Sequence, residues 1–281
     1  MEIDRIGIVG LGLIGGSIGL TLQNKGYEVS GLVNKSKTAE RAKERGLAQV
    51  ISTNSDILSN CSMVILAIPL EQLINPTSEL VDALPKNAVI TDVGSVKKPV
   101  LEIWQKLHPR FVGSHPMAGT IQTGVEAGQT HLFKNRPWIA TPEETTDVEA
   151  LDAVHQLAIT LEGQWITTDP QTHDQAVALI SHLPVFISTA LLQTVTKEPN
   201  KSLLMLAKTI ASSGFQDTTR VGGGNPELGV AMASNNTSAL LNAITSYRSS
   251  LDKLEEMIHA KEWDHLKNEL SESQLSRPDF L

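Results

Sequence analysis

Hydrophobic and polar positions follow two different rhythms along the chain. Up to about Thr167, short β-branched apolar runs recur at 5–10, 27–33, 62–68, 87–93, 110–113, 138–141 and 164–167. Between several of them the apolar residues take helical spacing, as in Ile18 with Leu22, Leu73 with Leu80 and Leu84, and Val100 with Ile103 and Leu107. Strand runs that alternate with helical runs predict a parallel sheet covered by helices on both faces. Past Asp169-Pro170 the strand runs stop. Helical stretches follow, broken at Glu198-Pro199-Asn200, at 212–214, at 222–224 and at Ser234-Asn235-Asn236. Asn225-Pro226-Glu227 reads as a helix start, with Asn as cap and Pro at the first helical position. The expected architecture is an α/β domain over 1–167 followed by an all-α domain over 168–281.

Bulk properties narrow the classes. A chain of 281 residues suggests two domains, and 41% hydrophobic with 19% charged residues is ordinary for a soluble protein. The net charge of −8, without a long basic run, argues against nucleic acid or an anionic membrane as the main partner. The start, Met1-Glu2-Ile3-Asp4-Arg5, lacks the pattern of a secretory signal. The segment 176–192 is the nearest thing to a membrane span. Ser181, His182, Pro184, Ser188 and Thr189 within it favour a buried helix of a soluble, cytoplasmic protein. The single cysteine, Cys61, beside Met63-Val64-Ile65-Leu66, reads as a small core residue.

The first strand runs directly into Gly10-Leu11-Gly12-Leu13-Ile14-Gly15 and then into a helix over 14–25 that ends at Gly26. Strand, Gly-x-Gly-x-x-Gly and helix in this order are the dinucleotide-binding arrangement of a Rossmann-type domain. Gly10 permits the turn, Gly12 admits the pyrophosphate, and Gly15 lets helix and strand pack closely. The helix start, with Leu13 and Ile14, presents free N–H groups to phosphate. The second strand ends Val33-Asn34-Lys35-Ser36, without the acid that holds a ribose 2′-hydroxyl. Asn34, Lys35 and Ser36 offer donors and positive charge to a 2′-phosphate, so NADP is the expected cofactor. A solvated surface turn is the plainer reading of the same residues. Ala67-Ile68-Pro69 ends the third main strand, where it lines the cofactor's ribose in such a sheet.

Two polar clusters follow later strands: Thr91-Asp92-Val93-Gly94-Ser95-Val96-Lys97 and Ser114-His115-Pro116-Met117-Ala118-Gly119. His115, held extended by Pro116, is placed to take a proton near neutral pH. Ser95 is placed to orient it or to hold a substrate hydroxyl. The pair suits oxidation of an alcohol. From spacing alone, a structural role fits His115 equally well. No metal-ligand spacing is visible; His173 beside Asp174, and His182, look isolated.

Taken together, the glycine loop, Asp92-Val93-Gly94-Ser95-Val96-Lys97, Ser114-His115-Pro116-Met117-Ala118-Gly119 and Gly214-Phe215-Gln216-Asp217-Thr218-Thr219-Arg220 resemble the prephenate and arogenate dehydrogenases of tyrosine biosynthesis. Ser181-His182-Leu183-Pro184 and the stretch from Gly124 to Leu132-Phe133 also fit, so the resemblance spans nearly the whole chain. It implies oxidative decarboxylation of a cyclohexadienyl alcohol without a metal. On it His115 is the catalytic base, Ser95 orients it, and Arg220 binds a substrate carboxylate; by itself Arg220 reads as a surface or interface ion pair. Many family members carry a histidine where this chain has Val185, which bears on substrate preference. The resemblance further implies a compact enzyme of cyanobacterial arogenate-dehydrogenase type, with no room for a fused mutase or regulatory domain. The helical domain is expected to form a homodimer through 203–210 and 240–258. Prephenate as substrate, another reductase of the same two-domain plan, and a non-catalytic NADP sensor are the alternatives. The second would place a catalytic lysine on a helix after the nucleotide domain, where His173-Asp174-Gln175 and Ser181-His182 stand instead and no lysine occurs until Lys197.

Overall fold

A computed structural model describes residues 4–120 and 122–280. Met1-Glu2-Ile3, and the outer domain limits at 1 and 281, lie outside the described residues. The first five runs form the main sheet: β1 (Arg5–Val9), β2 (Glu28–Leu32), β4 (Met63–Leu66), β5 (Val89–Asp92) and β6 (Phe111–Val112), joined by a short strand β3 (Val50–Ser52) that the apolar pattern does not reveal. All pairs are parallel, in the order β3-β2-β1-β4-β5-β6. Ile6, Ile8, Met63 and Ile65 pack into one core, Val9, Val64, Leu66 and Ile90 into another on the opposite face. Both faces are therefore buried, which is why these strands read as continuous apolar runs. The order reverses between β1 and β4, and a crevice opens there at the carboxyl ends of the strands.

The runs at 138–141 and 164–167 do not extend this sheet, contrary to the single parallel sheet expected. They form a second sheet of β7 (Ser114–Pro116), β8 (Pro137–Ala140) and β9 (Gln164–Thr167), with β7 antiparallel to β8. Gly113 stands between β6 and β7, and a Cβ there would lie 3.0 Å from Thr141 Oγ1 and 3.2 Å from Leu101 Cγ. A side chain there would press on both neighbours, so glycine eases the tight passage from one sheet to the other. Trp138, fully buried, donates its indole N–H to Ser114 Oγ at 3.1 Å.

The helices flanking the sheets are α1 (Leu13–Asn24), α2 (Ser36–Glu44), α3 (Leu70–Ile74), α4 (Ser78–Ala83), α5 (Lys98–Leu107) and α6 (Val148–Thr160). The remainder is helical: α7 (Pro170–Val177), α8 (Leu183–Thr196), α9 (Lys201–Ile210), α10 (Ser213–Thr219), α11 (Pro226–Asn235), α12 (Thr237–Ala260) and α13 (Trp263–Ser276). As expected, Asn225 caps α11 by accepting the Glu227 N–H at 3.0 Å. Between α7 and α8 lies a π-turn, Ala178–His182. Pro184 has no N–H and its ring cannot sit over an α-helical carbonyl one turn back, so the backbone widens just before it. The whole helix, Pro170–Thr196, is long and apolar enough to cross a membrane, yet it carries His173 and Asp174 in the protein interior. Within one chain only 28% of its apolar window is covered, with Leu179 and Ile180 more than half exposed, so the expectation of a buried helix over 176–192 is corrected.

Candidate active site

The crevice at the strand ends is a cleft of about 1070 Å³, at the top of the roughly 300–1,000 Å³ typical of small-molecule sites. Gly10, Gly12, Leu13 and Ile14 form one wall, Asn34 and Ala67-Ile68-Pro69 flank it, and Ser95 and His115 close its inner end. Ser181, Leu228 and Met232 reach in from the helical part.

The glycine loop fits a pyrophosphate. Gly10 has φ +91°, and a Cβ on it would stand 2.4 Å from the Ala67 carbonyl oxygen. Gly15 brings α1 so close that its Cβ would lie 1.9 Å from the Gly10 carbonyl oxygen. A Cβ at Gly12 would meet nothing within 4 Å, so its backbone borders open cleft. The N-terminus of α1 has no side-chain cap and no acid in its first turn, which leaves its N–H groups and positive dipole end for an anion. At the far end Asn34 lines the cleft together with Thr38. Lys35 and Ser36, cap and first residue of α2, are exposed just beyond the lining, and the first turn of α2 holds no acid.

His115 is set by an elaborate local frame. On β7, Ser114 and Pro116 turn into the protein while His115 faces the cleft. Ser114 donates its hydroxyl to the Asp92 carbonyl at 2.8 Å and its N–H to Asp92 Oδ1 at 3.2 Å. Lys97, fully buried, bonds its ammonium to Asp92 Oδ2 and, at 2.7 Å, to the Ser114 carbonyl. The strand carrying His115 is thus tied to the end of β5 by a buried ion pair. Burial pushes the Lys97 ammonium below its ordinary value, against the pull of Asp92. Burial also holds His115 well below the ordinary histidine range, with His173, Lys97 and His182 adding repulsion to a second positive charge. Neutral imidazole is the resting state, as a general base requires.

The nitrogen partner of His115 comes from the second half of the chain. His115 Nδ1 lies 2.9 Å from His173 Nε2, and His173 Nδ1 lies 2.8 Å from Asp174 Oδ1. Asp174 in turn accepts the backbone N–H of Lys97 at 2.7 Å and of Lys98 at 2.9 Å. Residues that look isolated in sequence therefore meet at the catalytic candidate, 58 positions from His115 along the chain. Asn236 donates to the Asp174 carbonyl at 2.7 Å and approaches His182 Nδ1 at 3.3 Å. His182 Nε2 is buried without a partner among the described residues, and burial lowers that ring to a pKa of about 4.

Other predicted residues take different places. Ser95 lines the cleft beside His115, but the ring nitrogen of His115 is bonded to His173. Arg220 begins a 3₁₀ turn after α10, is exposed, and does not line the cleft within one chain. Val185 is half-buried on α8, outside the cleft. Cys61 is a core residue, its thiol raised by burial to about 11.

Residues 18–167 match the family described as prephenate dehydrogenase, nucleotide-binding domain, and residues 169–272 match prephenate dehydrogenase, dimerization domain. The cyclohexadienyl dehydrogenase of Zymomonas mobilis is 31% identical over 97% of this chain and 94% of its own. The crystal structure of Synechocystis arogenate dehydrogenase superposes with a TM-score of 0.86 at 39% identity, covering 99% of this chain and all of that one. Prephenate dehydrogenase from Aquifex aeolicus, in complex with hydroxyphenyl propionate and NAD+, superposes with a TM-score of 0.92 at 27% identity over 100% of this chain and 99% of that chain. A nicotinamide-dependent dehydrogenase cleft on a Rossmann sheet, capped by a helical domain and matched end to end by these relatives, makes this chain a member of the prephenate dehydrogenase family.

Proposed function

We propose that the chain oxidatively decarboxylates arogenate to tyrosine with NADP, in a two-domain enzyme divided at Thr167–Thr168. The carrying observation is a neutral His115 at the inner end of a cleft whose outer wall is a pyrophosphate cradle. The cleft wall of Gly10, Gly12, Leu13 and Ile14 would hold NADP, which when bound would supply the hydride acceptor for the hydroxyl-bearing ring carbon. His115 takes the hydroxyl proton as that hydride leaves, so no positive charge builds on the ring oxygen. The carbon–carbon bond to the ring carboxylate then breaks. Carbon dioxide departs, the bond's electron pair completes the aromatic ring, and His115 returns the proton to the phenolic oxygen. Ser95 holds the hydroxyl toward His115. Arg220, whose guanidinium has no protein partner among the described residues, binds a substrate carboxylate; a planar fork of donors suits that group bidentately. The acid-free end of β2 supports NADP, and the 39% identity to an arogenate dehydrogenase supports the substrate. The second reading, prephenate with NAD, is favoured by the Aquifex aeolicus complex and gives 4-hydroxyphenylpyruvate instead.

A homodimer through the helical domain accounts for its bare apolar faces. Leu203, Met205, Leu206 and Ile210 of α9 are about half to two-thirds exposed, as are Leu241, Leu251 and Ile258 of α12. Large apolar patches on a soluble chain mark an interface, and a cytoplasmic enzyme with those faces covered is the reading that fits them. Initial rates with arogenate and prephenate, each with NAD and NADP, test the assignment. The highest kcat/KM belongs to arogenate with NADP; turnover of prephenate alone overturns the substrate, and use of NAD alone overturns the cofactor.

A further inference from the structure

The hydrogen-bond chain behind His115 has a direction that can be worked out from its far end. Asp174 is a carboxylate that accepts two backbone N–H groups, from Lys97 and Lys98, at the N-terminus of α5. Both of its oxygens are thus engaged as acceptors, beside the positive end of the helix. A carboxylate held this way accepts from His173 too, so the proton between them sits on His173 Nδ1. A neutral His173 with its proton on Nδ1 has a lone pair on Nε2, and that atom faces His115 Nδ1 at 2.9 Å. His115 must then donate from Nδ1, which leaves its Nε2 as the basic lone pair. That Nε2 has no protein partner among the described residues and is not sealed from the cleft. An isolated imidazole prefers the opposite tautomer, with Nε2 protonated and unable to act as a base. His173 itself is only 2% exposed and reaches the cleft only through His115.

We propose that His173 is a positioning residue for His115: oriented by Asp174, it fixes the His115 tautomer so that an unprotonated Nε2 meets the substrate hydroxyl. When His115 Nε2 gains that proton, the Nδ1–H bond to His173 and the Asp174 charge behind it offset the new positive charge. Lys97 and His182 also face the ring and oppose it. The arrangement follows the logic by which a buried carboxylate sets a catalytic imidazole in hydrolytic triads, with one more imidazole inserted. His173 and Asp174 lie on α7 of the helical part, whereas His115, Lys97 and Lys98 belong to the nucleotide-binding part. The base is therefore armed by the seating of one domain on the other.

This inference rests on the proposed reaction for its kinetic half only. Nitrogen-15 NMR of the histidine rings at pH 8, with His115 assigned by its loss in His115→Asn, reads the tautomer on the intact chain without substrate. The expected result is a proton on Nδ1 of His115 in the wild type and a shift to Nε2 in His173→Leu. In turnover, His173→Leu lowers kcat by roughly 10²-fold, the lower end of general-base contributions, with KM changed less than about threefold as expected for a group that acts only on the transition state. His173→Gln, whose Oε1 replaces the Nε2 acceptor, restores the Nδ1 proton and most of kcat. A wild-type His115 protonated on Nε2 overturns the inference. So does equal impairment of the Leu and Gln variants in folded protein, which marks a purely steric role. Failure of the wild type to turn over any substrate overturns the reaction, and the tautomer alone then decides this inference.

Discussion

At the residue scale, the proposed reaction depends on keeping one imidazole uncharged in a buried setting. A proton on His115 would be opposed by desolvation and by the neighbouring His173, Lys97 and His182. A base works only unprotonated, so activity is lost as pH falls through its pKa; because that pKa is depressed, the acidic limb of kcat/KM lies below pH 6.5, the ordinary histidine value. A limb at or above that value contradicts the assignment. His115→Asn removes the base and lowers kcat by about 10²–10⁴-fold, while NADP affinity measured by fluorescence titration stays within about twofold, since the pyrophosphate cradle is untouched. Arg220→Ala raises KM for substrate with a smaller change in kcat, as loss of a ground-state carboxylate contact does; an unchanged KM removes Arg220 from the site. The glycine loop, Ser95 and His115 were legible in the sequence because each sits in a short local motif just after a strand. His173 and Asp174 were not. His173 meets His115 from 58 positions away and Asp174 meets Lys97 from 77, through the packing of α7 against the start of α5.

At the element scale, the strand carrying His115 is placed by polar groups inside the fold. The Lys97–Asp92 pair, with 0% side-chain exposure on both partners, ties β5, the loop after it and β7 into one unit. A buried pair adds little over a well-packed apolar substitute, but removal of one partner strands the other's charge. Lys97→Ala therefore costs about 3–5 kcal/mol in urea unfolding; a loss under about 1 kcal/mol, the size of an exposed pair's contribution, contradicts this account of β7. The apolar runs located five strands of the main sheet because those strands are buried on both faces. They missed β3, a three-residue edge strand, and β7, whose Ser-His-Pro composition carries no apolar signal. They also placed β8 and β9 in the wrong sheet, since periodicity reports burial and not which neighbour a strand pairs with.

At the scale of the whole molecule, the nucleotide-binding sheet and the helical domain share one cleft and one hydrogen-bond network. Leu228 and Met232 of α11 line the cleft, and Asp174 of α7 is bound at the N-terminus of α5. The outward faces of α9 and α12, and Leu179 and Ile180 before α8, are apolar and exposed in the single chain. Sedimentation equilibrium gives twice the chain mass at micromolar concentration, and Tm rises with protein concentration because association stabilises the folded state; a monomer with a concentration-independent Tm contradicts the homodimer. The two-domain division was legible from the change of hydrophobic rhythm after Asp169-Pro170, whereas the uncovered face of Pro170–Thr196 was not, because a helix buried by its own chain and one buried by a second chain have the same composition. In the proposed reaction, hydride transfer at this cleft is coupled to loss of the ring carboxylate. Reduced-cofactor absorbance and carbon dioxide release, followed together in one mixture of the purified chain, arogenate and NADP, test it most directly. Equal moles of NADPH and carbon dioxide are the predicted result; no reduced cofactor, or reduced cofactor without carbon dioxide, would contradict it.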